Sequence, residues 1–306
     1  MEFRQALAKA LAELMREDNK ICVLDADLSK PNGTSSLYKE FPDRCFDVGI
    51  AEANMVGVAA GLAAYGYKPI VVTFAPFATR RVCDQIAVSV AYAKQNVKIV
   101  GTDPGITAEL NGGTHMSFED IATLRSIPTM TIYDAVDDTQ VYQAIKQIMN
   151  TDGPCYIRMP RKAAQPVYDE NYKFALNKAD VITKGNDITI VASGIMVAES
   201  LKAVLKLKED ISAELISANT IKPLDEETIL NSIKKTNHVV TCENHNVIGG
   251  LYSAVSEMLI EKYPLHVDKI AVMDQFGQVG KYSELLNYYH LTSNDIYNVV
   301  KKNLNK

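Results

Sequence analysis

The chain has 306 residues, 47% of them hydrophobic and 23% charged, which is the composition of a globular protein long enough for two domains. Its net charge is −5 and its basic residues are spread along the chain, so no basic patch for nucleic acid is indicated. No apolar run reaches the length of a membrane span, and charges interrupt the first helical segment where a signal peptide would be apolar.

The five cysteines are scattered and form no CxxC pair, which favours a reducing compartment over a disulfide framework. We therefore expect a cytoplasmic enzyme or enzyme subunit. The five histidines show no ligand spacing, and the motifs HExxH, GxxxxGK[ST] and GxSxG are absent, as is a GxGxxG after a strand. The sequence therefore predicts no metal site formed by this chain alone.

Short β-branched runs alternate with helical segments through the first half of the chain. The runs predict buried parallel strands over 21–27, 69–75, 97–103, 129–135 and 155–160. Apolar spacing predicts helices over 2–17, 52–64, 79–93, 118–125 and 138–150. This alternation predicts an α/β domain with a parallel sheet.

A polar stretch with little periodicity, residues 161–187, separates this domain from a second alternating region. Further strands are predicted over 188–194, 213–219, 238–244 and 269–274, followed by a terminal helix. We expect an α/β domain over 1–165, a linker over 166–186 and a smaller α/β domain over 187–306.

Glu52 is an isolated carboxylate in the apolar run VGIAEANMVGVAAGLAAYG, residues 48–66. A favourable interaction with a helix N-terminus, worth about 0.3–1 kcal/mol, is one explanation. The glycines and alanines also predict a helix packed closely against another surface, where a carboxyl keeps its proton or needs a dedicated partner.

Two further segments follow predicted strands. TFAPFATRR (73–81) contains Phe74 and Phe77, which are either core residues or a wall for a flat heterocycle. The glycine-rich segment 101–120 contains His115 and is either a solvated loop or a functional one.

Five segments in order resemble the C-terminal part of transketolase: LDADLS (24–29), VGIAEANMVGVAAGLA (48–63), VTFAPFA (72–78), NGGTH (111–115) and MPRK (159–162). The resemblance covers nearly the whole chain. It implies a pyrimidine-binding domain for thiamine diphosphate, followed by the small transketolase C-terminal domain. The chain is therefore similar to the C-terminal subunit of a transketolase split into two chains.

The resemblance implies roles for five residues around the cofactor. Glu52 matches the catalytic glutamate that hydrogen-bonds N1′ of the aminopyrimidine of thiamine diphosphate. Phe74 and Phe77 match the pair that lines this ring, with Phe77 as the stacking residue. Asp27 and Leu28 match residues that approach the cofactor from this domain.

The resemblance also implies a substrate site. His115 matches a histidine that contacts the sugar, and Arg161 and Arg4 match arginines that bind the substrate phosphate. Asn111 stands where the family has an aspartate on a substrate hydroxyl, so it is a candidate for setting substrate choice. The serine pattern after Asp27 also differs, and the replacement is left open among Ser29, Thr34 and Ser35. These departures fit an unusual ketose phosphate or sulfonated sugar as well as the ordinary pentose substrates.

The resemblance implies a reaction that needs a second chain. In it, a two-carbon ketol unit moves from a ketose phosphate to an aldose phosphate. The GDG…N motif that holds the diphosphate and Mg²⁺ in the family is absent from this sequence, so we expect an N-terminal companion subunit and a two-plus-two heterotetramer. The alternatives are the beta subunit of a 2-oxo acid dehydrogenase decarboxylating component and a non-catalytic structural partner.

Overall fold

The computed structural model describes residues 1–304. Its contacts divide the chain into two compact units. The first comprises Met1–Pro104 with Thr123–Leu176, and the second comprises Gly105–Ala122 with the chain from Asn177 onward. Each unit contains a parallel-dominated sheet flanked by helices, so the predicted α/β fold class is confirmed.

The sheet strands of the first unit are all parallel and lie in the order β5-β6-β4-β3-β1-β2. Their bounds are β1 (Ile21–Asp25), β2 (Cys45–Asp47), β3 (Lys68–Phe74), β4 (Lys98–Thr102), β5 (Thr131–Asp134) and β6 (Cys155–Met159). Five of these match predicted strands, and the short β2 was missed because its three residues are too few to show a pattern.

The long helices at the two ends of this unit, residues 3–17 and 138–149, pack through apolar faces at helical spacing. In the first helix, Phe3, Leu7 and Leu11 are fully buried in the core of this unit. The helices are α1 (Phe3–Glu17), α2 (Ser29–Asn32), α3 (Ser35–Glu40), α4 (Glu52–Ala64), α5 (Ala75–Ala78), α6 (Cys83–Gln85), α7 (Asp120–Arg125) and α8 (Asp138–Met149).

The single helix predicted over 79–93 is wrong. The segment contains a 3₁₀ turn (Arg80–Val82), α6 and a π-helical stretch (Ile86–Tyr92). Val82 interrupts the segment, with φ −123° and ψ 20° between the 3₁₀ turn and α6. Thr79, at the start of the segment, is also non-helical, with φ −130° and ψ −87°, and its hydroxyl donates to the Ala75 carbonyl at 2.7 Å. This side-chain bond competes with the helical backbone pattern, which periodicity alone does not reveal.

The second unit has sheet strands in the order β12-β11-β8-β9-β7, parallel except for the β7–β9 pair. Its strands are β7 (Asp180–Thr183), β8 (Ile188–Ala192), β9 (Ala213–Ser217), β10 (Thr220–Lys222), β11 (Val239–Asn246) and β12 (Val267–Val272). Its helices are α9 (Met196–Leu207), α10 (Glu226–Thr236), α11 (Leu251–Lys262), α12 (Tyr282–Tyr288) and α13 (Ser293–Leu304). The edge strand β7 lies inside the stretch for which the sequence indicated only a linker.

Between the first residue and Leu304, no helix combines the length and the hydropathy that a membrane crossing requires.

Candidate functional site

Glu52 is the first residue of α4, and its side chain is only 4% exposed. Its carboxylate accepts a hydrogen bond from Arg81 Nη1 at 2.7 Å. A buried carboxylate needs such a partner because desolvation penalises the charge. The structure therefore supports both explanations for Glu52, which lies in the first turn of a helix and is also buried with a dedicated partner.

The same guanidinium lies over an aromatic ring. Its central carbon is 3.7 Å from the centroid of Phe77, and the ring of Phe74 lies 6.0 Å from that of Phe77 with a tilt of 45°. One flat cationic group thus contacts the Glu52 carboxylate and the Phe77 face together. An aminopyrimidine is also flat and has an N–C–N edge, so these residues fit the pyrimidine half of thiamine diphosphate.

Arg161 lies at a second cluster of the first unit. Its backbone N–H donates to Asp103 Oδ1 at 2.8 Å, and its Nε donates to Oδ2 at 2.5 Å. Asp103 follows β4 with a φ of +52° and is buried. The guanidinium carbon of Arg161 is also 4.7 Å from the Phe74 centroid. The carboxylate and the ring therefore fix the position of this arginine.

Asp27 and Leu28 follow β1 in a turn. Asp27 has a φ of +60° and donates its backbone N–H to Asp47 Oδ1 at 3.0 Å. Leu28 donates its N–H to Asp25, whose carboxyl is fully buried. Burial raises the pKa of Asp25 from 3.8 to about 6, and its Oδ2 has no hydrogen-bond partner among residues 1–304.

Arg4 packs against the turn that contains α2. Its Nη1 donates to the Pro31 carbonyl at 3.1 Å, and its Nε donates to Glu2 at 2.6 Å. Gly33 approaches so closely that a Cβ there would lie 3.0 Å from Arg4 Cβ. The structure therefore gives Arg4 a role in holding this turn, besides any contact with an anion.

Asn111 and His115 lie in segment 105–122, which belongs to the second unit. Asn111 is exposed, whereas His115 is half-buried with Nδ1 2.9 Å from Thr114 Oγ1. The structure thus groups Glu52 with Phe77 in the first unit, and places the two polar loop residues in the second.

Sequence patterns did not single out Arg81 or Asp103 as site residues. Arg81 stands four residues after Phe77, a spacing that brings side chains together on a helical turn. Asp103 ends a predicted strand, where ligands of α/β proteins bind. Neither pattern predicts the contact that the side chain makes, because Arg81 is distant in sequence from Glu52, and Asp103 from Arg161.

Two family profiles match most of the chain. The profile of the transketolase pyrimidine binding domain matches residues 1–166. The profile of the transketolase C-terminal domain matches residues 177–296. The chain belongs to the transketolase family.

Relatives of this transketolase-family chain include proteins named as transketolase subunits. The 6-deoxy-6-sulfo-D-fructose transketolase subunit SqwH of Clostridium sp. (strain MSTE9) is 49% identical over 96% of this chain and 91% of its own length. A subunit of the apulose-4-phosphate transketolase of Phocaeicola vulgatus is 35% identical over 96% of this chain and 94% of its own length.

A solved structure of similar fold is described as a split-gene transketolase in an inactive β4 tetramer. It is 42% identical and superposes with a TM-score of 0.91, over 100% of this chain and 98% of that one. Together with the two relatives, it supports the transketolase-subunit interpretation. It does not favour a dehydrogenase beta subunit or a structural partner.

Proposed function

We propose that this chain is the pyrimidine-binding subunit of a two-chain transketolase. It transfers a two-carbon ketol unit from a ketose phosphate or sulfonate to an aldose phosphate, together with an N-terminal companion. The observation that carries the proposal is the placement of Glu52 and Phe77, which one flat cation contacts simultaneously in this structure. Membership of a thiamine-dependent family supports the same cofactor here.

The chain's own residues have separate roles in this proposal. Thiamine diphosphate, when bound, supplies the carbon nucleophile that cleaves the ketose. Glu52 holds a proton at N1′ of the aminopyrimidine, and its burial excludes water from that proton. Phe77, whose ring lies 6.0 Å from that of Phe74, would stack on the aminopyrimidine, and Phe74, Asp27 and Leu28 would help to hold the cofactor.

We further propose that the companion chain binds the diphosphate and Mg²⁺, in a heterotetramer of two chains of each kind. The description of the related β4 tetramer as inactive supports the need for a companion. Helix α4 supports an interface, because Gly57 and Gly61 lie on its exposed side, where a Cβ at either position would contact nothing within 4 Å among residues 1–304. The free cysteines support a cytoplasmic location. The domain bounds 1–165 and 187–306, with a linker over 166–186, remain part of the proposal.

The proposed donor is a ketose with an anionic group at the end remote from the carbonyl. Arg161 and Arg4 are the proposed contacts to that anion, since a guanidinium suits both phosphate and sulfonate oxygens. His115 is the proposed contact to the sugar hydroxyls, and Asn111 the residue that selects among donors. The activity for which the SqwH relative is named makes 6-deoxy-6-sulfofructose the first donor to test.

The test is reconstitution. The chain is combined with the N-terminal transketolase-type chain of its own organism, thiamine diphosphate and Mg²⁺, and is offered sulfofructose, fructose 6-phosphate and xylulose 5-phosphate with aldose phosphate acceptors. Ketol transfer that requires both chains is the expected result. Full activity of the isolated chain, or 2-oxo acid decarboxylation in place of transfer, would overturn the proposal.

A further inference from the structure

Two consecutive side chains of β11 contact the two ends of segment 105–122. They are Asn244 and His245, both in the buried interior of the second unit. The segment between its ends carries Asn111 and His115. Neither β11 residue was singled out by the sequence analysis, and neither has a part in the proposed cofactor site.

Asn244 holds the first end. Its Oδ1 accepts a hydrogen bond from the Ile106 backbone N–H at 3.0 Å. Gly105 has a φ of +57°, and a Cβ there would lie 2.3 Å from the same oxygen. The backbone therefore approaches the Asn244 amide as closely as it does only because residue 105 is glycine.

His245 holds the second end. Its Nδ1 lies 2.7 Å from the Asn246 carbonyl oxygen, which only accepts, so Nδ1 carries the proton. Nε2 is then an acceptor, and it receives the Ala122 backbone N–H at 3.3 Å. Ala122 is in the first turn of α7, where backbone N–H groups lack helical partners.

Backbone hydrogen bonds close segment 105–122 between the two anchors, Asn244 and His245. Gly105 donates its N–H to the Ser117 carbonyl at 2.8 Å, and Asn246 donates to the Phe118 carbonyl at 2.8 Å. At the tip, a Cβ on Gly113 would lie 2.4 Å from the Gly277 carbonyl oxygen. The two backbone bonds thus close the base of the segment, while its tip packs directly against Gly277.

We infer that Asn244 and His245 are positioning residues for segment 105–122, the proposed substrate loop. They orient this loop by fixing both of its ends. The inference rests on the proposed function, in which Asn111 and His115 contact the sugar. It predicts that losing either acceptor loosens segment 105–122 and weakens binding of the ketose, while the cofactor site of the first unit is unaffected.

The first measurement uses the full chain alone and needs no activity. Hydrogen–deuterium exchange over 105–122 is compared between the native chain, His245→Leu and His245→Gln. Leucine lacks the acceptor, and glutamine returns an oxygen near the Nε2 position. Exchange about tenfold faster with leucine, and near native with glutamine, is expected from the loss of one buried hydrogen bond. Equal exchange in all three chains would overturn the inference.

The second measurement uses the reconstituted enzyme. His245→Leu is expected to raise KM for the ketose about tenfold with a smaller change in kcat, and to leave the Kd for thiamine diphosphate unchanged. Thr189→Val is the control for a purely structural effect, since Thr189 is a buried hydrogen-bonding residue elsewhere in this unit. An equal rise in KM in the control would contradict a positioning role.

If His245→Leu prevents folding, variants of Asn244 test the same inference. Asn244→Ser shortens the side chain and withdraws the acceptor from Ile106, while Asn244→Asp keeps an oxygen there. The serine variant alone should show faster exchange and the raised KM. If the native pair of chains shows no transfer, the proposed function fails, but the exchange result still decides whether the anchors hold the loop.

Discussion

At the scale of single residues, the Glu52 carboxylate depends on Arg81. Glu52 is 4% exposed, whereas 45% of the Arg81 side chain is exposed. Solvent screens the ion pair on the Arg81 side, so the attraction between the two charges is weaker than in a fully buried ion pair. Arg81 also lies over the ring of Phe77, on which the aminopyrimidine would stack, so the guanidinium and the aminopyrimidine would use the same contacts.

Arg81→Met is expected to lower the free energy of unfolding of the isolated chain by about 1–2 kcal/mol, because it leaves a buried carboxylate without its partner. Combining it with Glu52→Gln should cost less than the sum of the two single changes, since the neutral amide no longer needs the cation. Urea unfolding of the four chains measures this cycle. Additive effects would show that the pair is not coupled.

Glu52→Gln in the reconstituted complex is expected to lower turnover by about 10²- to 10⁴-fold, the usual effect of losing an acid–base group. Size-exclusion chromatography should show an unchanged assembly. Glu261→Gln, on an exposed helix position of the second unit, is the matched control. Native turnover in the Glu52 variant would support a structural role for the chain.

Asp25 predicts a pH dependence of stability. Burial raises its folded-state pKa from 3.8 to about 6, so the folded chain prefers the protonated carboxyl. The contribution of the Asp25 carboxyl to folding stability is fully present below pH 3.8, where the group is protonated, and is lost as the pH rises through about 6. Asp25→Asn has no charge to bury, so its advantage over the native chain should grow across this window and then level off. At about 1.4 kcal/mol per pKa unit, the gain is at most about 3 kcal/mol.

Chemical unfolding at a series of pH values measures this effect, with Asp43→Asn as the control at an exposed position. A constant difference between Asp25→Asn and the native chain at every pH would contradict the raised pKa.

At the scale of elements, α4 has two different sides. Its buried side includes Met55, Val56 and Ala59, which pack in the first unit. Its other side exposes Gly57 and Gly61, and a Cβ added at either position would have no neighbour within 4 Å in the part of the chain that the structure describes. Glycine in a helix costs stability, so its presence there is consistent with a close approach by another chain.

Gly57→Met separates the effect of this position on helix stability from its effect on assembly. The isolated chain should unfold no more easily, and up to about 1 kcal/mol less easily, because methionine is the better helix former. Assembly with the companion or with a second copy should weaken, because the larger side chain prevents close approach. Light scattering after chromatography measures the assembly, with Glu261→Met as the control. An unchanged assembly would exclude this side of α4 from the interface.

For the protein as a whole, the proposed function gives this chain the residues for only one half of thiamine diphosphate. Ligand binding raises stability only where the folded protein forms the site, by about 2.7 kcal/mol at one hundred times Kd. Thiamine diphosphate and Mg²⁺ should therefore shift the melting temperature of the two-chain complex far more than that of the isolated chain. An equal shift in both would mean that this chain holds the complete cofactor.

Sequence patterns alone predict the alternating α/β order, most strands of both sheets and the candidate residues Glu52, Phe77 and His115. These follow from local patterns, because periodicity and turn residues act over a few positions. Sequence patterns do not predict the non-helical Thr79 or the edge strand β7, since one depends on a side-chain hydrogen bond and the other on pairing with β9.

Which side chains contact one another depends on how distant parts of the chain pack. Arg81 reaches Glu52 across 29 positions, Arg161 reaches Asp103 across 58, and Asn244 reaches Ile106 across 138. Such pairs leave no periodic signal, because contact between distant residues depends on how the elements pack. The chemistry of each residue is thus readable from the sequence, but the partner that orients it is set by the fold.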